Sequence, residues 1–558
     1  MKLKGAGIVV SCLLEQDVDT VFGYPGVSIL EVYDELYKNR SRIRHILSAH
    51  EQGAAHAADG YARSSKRVGV CLATSGPGAT NLITGIAAAF MDSSPVVFIT
   101  CNVDENLLGR DAFQEVDIVG ISMPITKCSY LVDDARNIAG VMREAFALAA
   151  GGRPGPVLID ITHNATVQKA EYEYLPKEQH VERGVLQRAY RRSVPVLRRP
   201  EFRDGDISRM AELVSQARKP LLLVGGGIIR SGASEALRKY AKKTGMPVVS
   251  TLMGLGAMEW SSGLYFGMAG SFGCSAANYA LQSCDMLIAI GVRFSERLTG
   301  RVDSFAPNAK IIHVDIDRSE IDKNVQSFHH VVGDAGDILA VLMEHAHPAA
   351  DGEWLRELRA RRDAQTAAGG FPETIIHTLQ KKCPDALIAT DVGQHQLWTC
   401  RCFGFSFPGQ LITSGGYGAM GFGLGAALGA KAGNPDKTVI HITGDGSFGM
   451  NMTELMTETR ERLPVITIIF DNTALGLVRQ NQTLNYSRRY SQTSLTALPD
   501  YSLLAGAFGL EAIRVENATE LEAALDRFLA GGHGGIIDCA VDRDELIRPM
   551  LDKGRLIY

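Results

Sequence analysis

The chain has 558 residues, of which 46% are hydrophobic and 21% are charged, and its formal net charge is −5. The length exceeds what one hydrophobic core supports and predicts three or four domains, while the composition is that of a globular protein. The charge gives no reason to expect nucleic acid or an anionic membrane surface as a partner, and apolar runs such as Pro220–Val224 fall far short of the ~20 residues of a membrane helix.

The N-terminal segment has two readings. Two lysines precede an apolar run, as in a signal peptide, but a clear cleavage site is missing and acidic residues follow, so we favour an amphipathic first helix. The ten cysteines are scattered without metal-type spacing. We therefore expect reduced, mostly buried thiols in a cytoplasmic protein.

Strand-like and helical runs alternate along the chain, which predicts parallel sheets. Residues 1–175 form a first α/β unit, with strands predicted at Val68–Ala73, Val96–Thr100 and Val157–Ile161. Residues 176–205 are expected to be a linker. The seven arginines of residues 180–205 could bind an anion, but Pro, Glu and Asp are interleaved with them, which favours a solvated segment.

Two further units follow. The second, residues 206–345, opens with a strand predicted at Pro220–Val224 and a turn at Gly225–Gly227. A charged helix at Glu353–Asp363 and the pair Gly369-Gly370 mark the join to the third unit, residues 371–545. The predicted fold class is therefore α/β, with three doubly wound parallel-sheet domains.

The third unit carries a candidate metal site. Strands are predicted at Thr438–Thr443 and Val465–Phe470, with a helix at Met450–Leu463 between them. Asp445, flanked by two glycines, follows the first strand, and Asn472 follows the second. Adjacent parallel strands lie about 5 Å apart, and ligands bind at their carboxyl ends. An Asp-Gly turn is the simpler alternative, but Asn472 at this spacing favours a Mg²⁺ site beside a diphosphate.

Further motifs occur in a fixed order along nearly the whole chain. With that metal motif they resemble the catalytic subunit of acetolactate (acetohydroxyacid) synthase, in the superfamily of thiamine diphosphate (ThDP) dependent decarboxylases and carboligases. The resemblance implies an N-terminal pyrimidine-binding domain, a central domain similar to a flavin-binding domain, and a C-terminal diphosphate-binding and Mg²⁺-binding domain. The segments that carry it are residues 50–63, 74–95, 111–122, 152–160, 251–256, 291–300, 313–317, 391–398 and 414–423.

Glu51 is the first catalytic residue that the resemblance implies. Without it, Ser48 and Glu51 have the spacing of a capping box at a helix start. In the family, the matching glutamate bonds the aminopyrimidine ring of ThDP and so activates the cofactor. Gln114 matches a polar residue facing the reacting centre, with a surface glutamine as the alternative, and Met420 matches the wedge that bends ThDP, with core packing as the alternative.

The resemblance implies the remaining site residues as sets. Further ThDP contacts would be Pro25, Gly26, Val392, Gly393, Gln394, His395, Gly418, Gly446, Ser447, Gly476, Leu477 and Val478. The Mg²⁺ ligands would be Asp445, Asn472 and the main-chain carbonyl of Ala474. FAD contacts would be Arg153, Gly226, Gly227, Thr251, Leu252, Met253, Gly291, Arg293, Arg297, Asp315, Ile316 and Asp334.

The sequence departs from the family where substrate is expected to enter. Asn481 stands where a tryptophan usually selects the acceptor, which removes a large apolar wall and adds hydrogen-bonding groups. His163 replaces a usual lysine, and Asp104 lies in a stretch that is more acidic than its counterpart. These changes leave the cofactor residues intact and concern the acceptor.

We expect an enzyme that decarboxylates pyruvate and transfers the hydroxyethyl unit to a second 2-oxo acid, giving 2-acetolactate for branched-chain amino acid biosynthesis. The alternatives are another ThDP-dependent lyase or carboligase with a different acceptor, and a non-catalytic protein of the same fold. Because Glu51 and the metal motif lie in different units, the resemblance implies a homodimer or homotetramer that shares the cofactor between subunits. A regulatory subunit is a further expected partner.

Overall fold

The computed structural model describes residues 1–176, 189–191, 202–348, 352–364 and 369–558. Most of the expected linker 176–205 lies outside these residues. Three separate parallel sheets are each covered by helices on both faces, as the sequence predicts. Because both faces are buried, the central strands are nearly continuous apolar runs. Leu221–Val224, for instance, is fully buried.

The first sheet has seven strands in the order β3-β2-β4-β5-β7-β6-β9, of which only β9 is antiparallel. A short antiparallel pair, β1 with β8, lies beside it. The strands are β1 Lys2–Lys4, β2 Thr20–Gly23, β3 Arg44–Leu47, β4 Gly69–Ala73, β5 Val96–Asn102, β6 Cys128–Val132, β7 Val157–Thr162, β8 Lys169–Glu171 and β9 Ala189–Arg191. The helices are α1 Gly5–Glu15, α2 Leu30–Lys38, α3 Glu51–Ser65, α4 Pro77–Thr80, α5 Ile83–Met91, α6 Ile118–Ser122, α7 Ala135–Ala150 and α8 His163–Val167.

The second sheet has six parallel strands in the order β12-β11-β10-β13-β14-β15. They are β10 Pro220–Val224, β11 Val248–Ser250, β12 Tyr265–Met268, β13 Met286–Ile290, β14 Lys310–Asp315 and β15 His329–Val332. The accompanying helices are α9 Asp204–Ser215, α10 Gly226–Arg230, α11 Ser234–Thr244, α12 Ser275–Ser283, α13 Glu296–Thr299 and α14 Ala335–Glu344, followed by α15 Gly352–Asp363.

The third sheet has six parallel strands in the order β17-β16-β18-β19-β21-β20, and a two-stranded antiparallel pair follows it. The strands are β16 Leu387–Thr390, β17 Leu411–Thr413, β18 Val439–Gly444, β19 Ile466–Asp471, β20 Ala512–Val515, β21 Gly535–Ala540, β22 Leu551–Asp552 and β23 Arg555–Leu556. The helices are α16 Phe371–Lys382, α17 Gln394–Cys402, α18 Phe422–Gly433, α19 Asp445–Asn451, α20 Leu455–Glu461, α21 Gly476–Asn485, α22 Tyr501–Ala507 and α23 Ala518–Gly531.

Helices α3 and α18 join the first and third domains. Their sequences are rich in Gly and Ala, and the two backbones approach closely: a Cβ at Gly60 would lie 2.1 Å from the carbonyl oxygen of Ala426, and one at Gly429 only 1.8 Å from that of Ala57. At the start of α3, the Glu454 carboxylate accepts hydrogen bonds from the N–H groups of residues 49 and 50. The small residues of these motifs therefore serve domain packing.

The structure also bears on the expectations drawn from composition. Residues 5–15 form the expected first helix, α1. All ten cysteines lie in the described part of the chain as free thiols, and nine of them are buried. Among the described residues, no helix is both long and apolar enough to cross a lipid bilayer.

Candidate cofactor site

The predicted metal ligands lie at the carboxyl ends of two neighbouring strands. β18 and β19 pair in parallel, with Gly444 opposite Phe470. The main-chain N–H of Ala474 donates to Asp445 Oδ2 at 3.2 Å and to Asn472 Oδ1 at 3.0 Å. A carboxylate and an amide oxygen thus converge on one point, as the sequence predicts for a hard divalent cation.

The helix predicted at Met450–Leu463 is placed wrongly. It begins at Asp445 itself, is interrupted by a 3₁₀ turn at Met452–Glu454, and ends at Glu461. An acidic side chain in the first turn is favourable, because the exposed N–H groups there carry partial positive charge. The prediction treated the Gly-Asp-Gly segment as a loop and so missed that Asp445 opens the helix.

The electrostatics of Asp445 fit a bound cation. Burial and, to a smaller extent, the nearby Asp471 carboxylate raise the pKa of its carboxyl to about 7, against hydrogen bonds from the N–H groups of Gly446 and Ala474. A buried carboxylate is costly unless a positive charge accompanies it. A divalent cation between Asp445 and Asn472 would supply that charge.

A cavity opens beside this pair, and the third domain alone lines it. Ten of the predicted ThDP contacts and all three predicted metal ligands are among its lining residues. Gly418, another predicted ThDP contact, does not line the cavity, although Met420, two residues later, does. Gly444 is one of the two glycines that flank Asp445, whereas Trp398, Phe470 and Leu475 are lining residues that the sequence did not predict as contacts, although Trp398 ends the segment 391–398 of the family resemblance. The lining residues are Val392–His395, Trp398, Met420, Gly444–Ser447, Phe470, Asn472 and Ala474–Val478.

Two features of the cavity wall suit a phosphate-bearing ligand. A Cβ at Gly476 would lie 2.1 Å from Gln394 Oε1, so a side chain at this position would displace the Gln394 amide from the cavity wall. Burial lowers the pKa of His395 to about 4, which keeps the imidazole neutral. Its Nε2 is buried and has no hydrogen-bond partner among the described residues. A ligand in the cavity would offer a partner to this atom.

The first domain presents a second group of predicted residues. Glu51 is the first residue of α3 and is 9% exposed, and its Oε2 accepts a hydrogen bond from Asn81 Nδ2 at 2.9 Å. A Cβ at Gly78 would lie 3.2 Å from Glu51 Oε1. Gln114 has a left-handed backbone, with φ of +59°, and lies against Gly76. Glu51 follows β3, Gly78 and Asn81 follow β4, and Gln114 follows β5, with Pro25 and Gly26 after β2.

The capping box proposed as the alternative for Glu51 is wrong. The residue that caps α3 is His50, whose side chain accepts the N–H of Gln52. The Ser48 hydroxyl is buried and has no hydrogen-bond partner among the described residues. Glu51 is therefore not engaged in capping and directs its carboxyl towards Asn81.

The two groups of residues do not form one site within a single chain. The described residues that line the cavity all come from the third domain, and neither Glu51 nor Gln114 is among them. Each group lies at the carboxyl edge of the sheet of its own domain.

Several predicted flavin contacts cluster in the central domain. The glycines 225–227 after β10, predicted as a turn, form the start of helix α10. They lie against Gly291 after β13, and the Gly227 N–H donates to the carbonyl oxygen of Gly291 at 3.2 Å. Gly291 has a φ of +62°. Met253, in the segment after β11 that begins with Thr251 and Leu252, lies next to Gly226. Three strand ends thus form one glycine-lined edge.

Most of the charged residues predicted to contact FAD have partners within the protein, and the guanidinium of Arg293 lies beside Gly416. Arg153 pairs with Asp317 at 3.1 Å and with Glu320 at 2.8 Å. Asp315, which precedes Ile316, is buried, and this burial raises the pKa of its carboxyl to about 6. The Asp334 side chain caps α14. The Arg297 side chain is 72% exposed and lies beside Glu296.

The residues that depart from the family pattern fall in two places. Asn481 is exposed on α21, where its Oδ1 accepts from Asn485 Nδ2 at 2.6 Å. His163 begins α8 in the first domain, and its Nδ1 lies 3.0 Å from Asp104 Oδ1. Two departures identified separately in the sequence, at positions 163 and 104, are therefore partners in one half-exposed pair.

Comparison with known families agrees with this geometry. Residues 3–121 match the thiamine pyrophosphate enzyme N-terminal TPP binding domain, residues 207–342 match the central domain, and residues 391–539 match the C-terminal TPP binding domain. The large subunit of acetolactate synthase isozyme 2 from Escherichia coli is 42% identical over 99% of this chain and 98% of its own.

The chain belongs to the acetolactate synthase family of thiamine pyrophosphate enzymes. A Corynebacterium glutamicum acetolactate synthase large subunit is 45% identical over 99% of this chain and 89% of its own. A probable acetolactate synthase large subunit of Methanocaldococcus jannaschii is 40% identical, with 99% of this chain and 94% of the relative covered. Members of this thiamine pyrophosphate family thus match all three domains of the chain.

Proposed function

We propose that this acetolactate synthase family member decarboxylates pyruvate and joins the two-carbon remainder to a second 2-oxo acid, giving 2-acetolactate when that acid is pyruvate. The convergence of Asp445 and Asn472 on the Ala474 N–H, at the mouth of a cavity lined by residues of the family motifs, carries the proposal. Another ThDP-dependent lyase or carboligase activity is not favoured, because relatives named acetolactate synthase match over nearly the full chain.

The third domain would hold the cofactor. Asp445, Asn472 and the main-chain carbonyl of Ala474 would bind Mg²⁺, and the glycine-rich wall at residues 444–446 and 476 would accept the diphosphate. Bound ThDP would supply a carbon nucleophile, formed when its acidic C–H loses a proton, and a cationic ring that takes up the electron pair left by departing CO₂. Met420 would pack against the bent cofactor.

The first domain would supply the proton chemistry and the substrate contacts. Glu51, whose direction is fixed by Asn81, would exchange a proton with the aminopyrimidine ring. Gln114 would face the reacting atoms. The pair of His163 with Asp104 from the first domain, and Asn481 on α21 of the third, would line the approach of the acceptor. Since the first-domain residues do not line the cavity of their own chain, we propose that a second copy supplies them and completes each site in a homodimer or homotetramer.

Three further parts belong to the proposal. The glycine edge at 226, 227 and 291, with Thr251–Met253, would bind FAD, which has no redox role in a reaction without net oxidation. A small regulatory subunit would bind, since the relatives are named large subunits. The free thiols suit a cytoplasmic location. We propose residues 1–175, 206–345 and 371–545 as the bounds of the three domains.

The test is a discontinuous assay of the full chain with pyruvate, ThDP and Mg²⁺, in which acetolactate is converted to acetoin by acid and measured. A parallel reaction contains 2-oxobutyrate. We expect acetolactate to form in the first reaction, and the second reports the choice of acceptor. Consumption of pyruvate without acetolactate would reject the synthase activity in favour of another ThDP-dependent reaction, and bound ThDP without any turnover would point to a non-catalytic protein.

A further inference from the structure

Asp92, which lies in the segment 74–95 but is not among the predicted site residues, extends from the first domain into the third. It directly follows α5 and is 5% exposed. Its Oδ1 accepts the main-chain N–H of Gly416 at 2.7 Å, and its Oδ2 accepts that of Gly415 at 3.1 Å. These glycines begin the loop 414–421, which connects β17 to α18 and carries Met420 into the cofactor cavity.

The space around the two glycines is filled from two domains. A Cβ at Gly416 would lie 2.7 Å from Asp92 Oδ1 and 2.8 Å from Arg293 Nη2. A Cβ at Gly415 would lie 2.3 Å from Met253 Sδ. The start of the loop therefore lies between the first domain on one side and the central domain on the other, and a side chain at either glycine would displace Asp92, Arg293 or Met253.

The charge of Asp92 is matched by buried arginine. Arg63 Nη2 donates to Asp92 Oδ2 at 3.1 Å, while the same guanidinium binds Asp59 through two hydrogen bonds. Arg230, at the end of α10 in the central domain, donates to the main-chain carbonyl oxygen of Asp92 at 3.1 Å. All three domains thus contribute to the surroundings of this one residue.

The far end of the loop is held within its own domain. The Ser414 hydroxyl accepts the N–H of Ala419 at 3.1 Å, and Asn451 Nδ2 donates to the carbonyl oxygen of Gly421 at 2.6 Å. At the near end, the Asp92 carboxylate accepts both glycine N–H groups, and Arg63 Nη1 donates to the carbonyl oxygen of Thr413, just before the loop, at 2.6 Å. Loss of the Asp92 carboxylate would leave the Gly416 N–H without its acceptor, whereas the Gly415 N–H would keep the carbonyl oxygen of Thr413 at 3.0 Å.

We propose that Asp92 is a positioning residue for cofactor binding: by holding Gly415 and Gly416 it sets the path of the loop that places Met420 in the cavity. The inference rests on the proposed function, because it takes the cavity to be the ThDP site. Asp92 itself would touch neither cofactor nor substrate, so it would act on the affinity for ThDP rather than on the chemical step.

The experiment compares Asp92→Asn with Asp59→Asn in the full chain. Both substitutions remove one carboxylate partner of Arg63, but only Asp92 binds the glycine N–H groups. ThDP is titrated in excess Mg²⁺ and followed by tryptophan fluorescence, since Trp398 lines the cavity and the chain has only three tryptophans. We expect the Kd for ThDP to rise about 10-fold or more in D92N and to stay within about 3-fold of wild type in D59N.

Two further variants, G416A and M420A, separate the role of Asp92 from the location of the cofactor site. Gly416→Ala keeps all the charges but forces the backbone away from Asp92, so it should weaken ThDP binding as D92N does, even if D92N fails to fold. Met420→Ala tests the proposed function itself. Equal Kd values for D92N and D59N, or wild-type binding by G416A, would overturn the positioning role. Wild-type binding by M420A would instead remove Met420 from the cofactor site.

Discussion

Asn81 donates a hydrogen bond from its side-chain amide to Glu51 Oε2 at 2.9 Å. The partner is a neutral amide, so it fixes the direction of the carboxyl without matching its charge. Glu51 Oε1 faces Gly78, which has no side chain to block it. The arrangement leaves one carboxyl oxygen accessible to a ligand, as proton exchange with a cofactor requires.

Replacement of Glu51 by Gln should lower kcat by about 10²–10⁴-fold, the usual contribution of a positioned acid or base. The amide keeps the shape and the contact with position 81 but cannot exchange a proton. ThDP binding, followed by fluorescence, should change little. Asn81→Ala serves as the comparison and should reduce kcat less, because the carboxyl remains. Retention of more than a tenth of wild-type turnover by E51Q would rule out the catalytic role.

Replacement of Asp445 by Asn should raise the Mg²⁺ concentration needed for half-maximal activity by at least about 10–100-fold, the range seen when even a group that supports a ligand is lost. The buried site would keep its oxygen but lose its negative charge. Asp471→Asn is the matched control: that carboxylate lies one residue before Asn472 but pairs with Arg514 at 3.0 Å. The prediction fails if the two variants need the same Mg²⁺ concentration.

Glu458 should make the protein less stable as the pH rises. Burial raises the pKa of its carboxyl to about 8, above that of the unfolded chain, so the folded state binds the proton more tightly. Its stabilising effect is complete below about pH 4.5 and is lost progressively up to about pH 8. Glu458→Gln removes this titration. We expect its unfolding free energy to exceed that of wild type by on the order of 1–4 kcal/mol at pH 8.

The measurement for Glu458 is the urea midpoint of the variant and of wild type at pH 5 and pH 8. The gap between the two proteins should widen with pH. Glu522→Gln is the control, since that side chain is 38% exposed in a surface pair with Lys381 and such pairs contribute little. A gap for E458Q that is the same at both pH values would contradict the assignment.

Replacement of Asn481 by Trp should shift acceptor choice towards 2-oxobutyrate. A large apolar wall favours the extra methylene of this substrate, and one methylene in such a pocket changes selectivity by about 10-fold or more. The product ratio in a mixture of pyruvate and 2-oxobutyrate reports the change. Asn485→Trp places the same ring one turn further along α21, beside the original residue. Equal ratios in both variants would show that position 481 does not contact the acceptor.

Local patterns predicted the strands well. The strand predicted at Pro220–Val224 has the same bounds in the structure. Val96 and Val157 begin their strands and Ala73 ends its strand, as predicted. These bounds could be predicted because apolar runs bounded by glycine and polar residues are local signals. The helix at Asp445 was misplaced for a local reason too: the same Gly-Asp-Gly segment serves as a turn in one context and as a helix start in another.

The sequence by itself determined the three-sheet organisation and the pairing of Asp445 with Asn472, because parallel strands bring their carboxyl ends to one edge whatever surrounds them. Only the tertiary structure decided that His50 caps α3, that His163 meets Asp104, and that Asp92 holds the Gly415–Gly416 backbone. These contacts depend on how side chains of separate elements pack. Asp92 and Gly416 are separated by more than 300 residues, and no periodicity or local spacing encodes such a meeting.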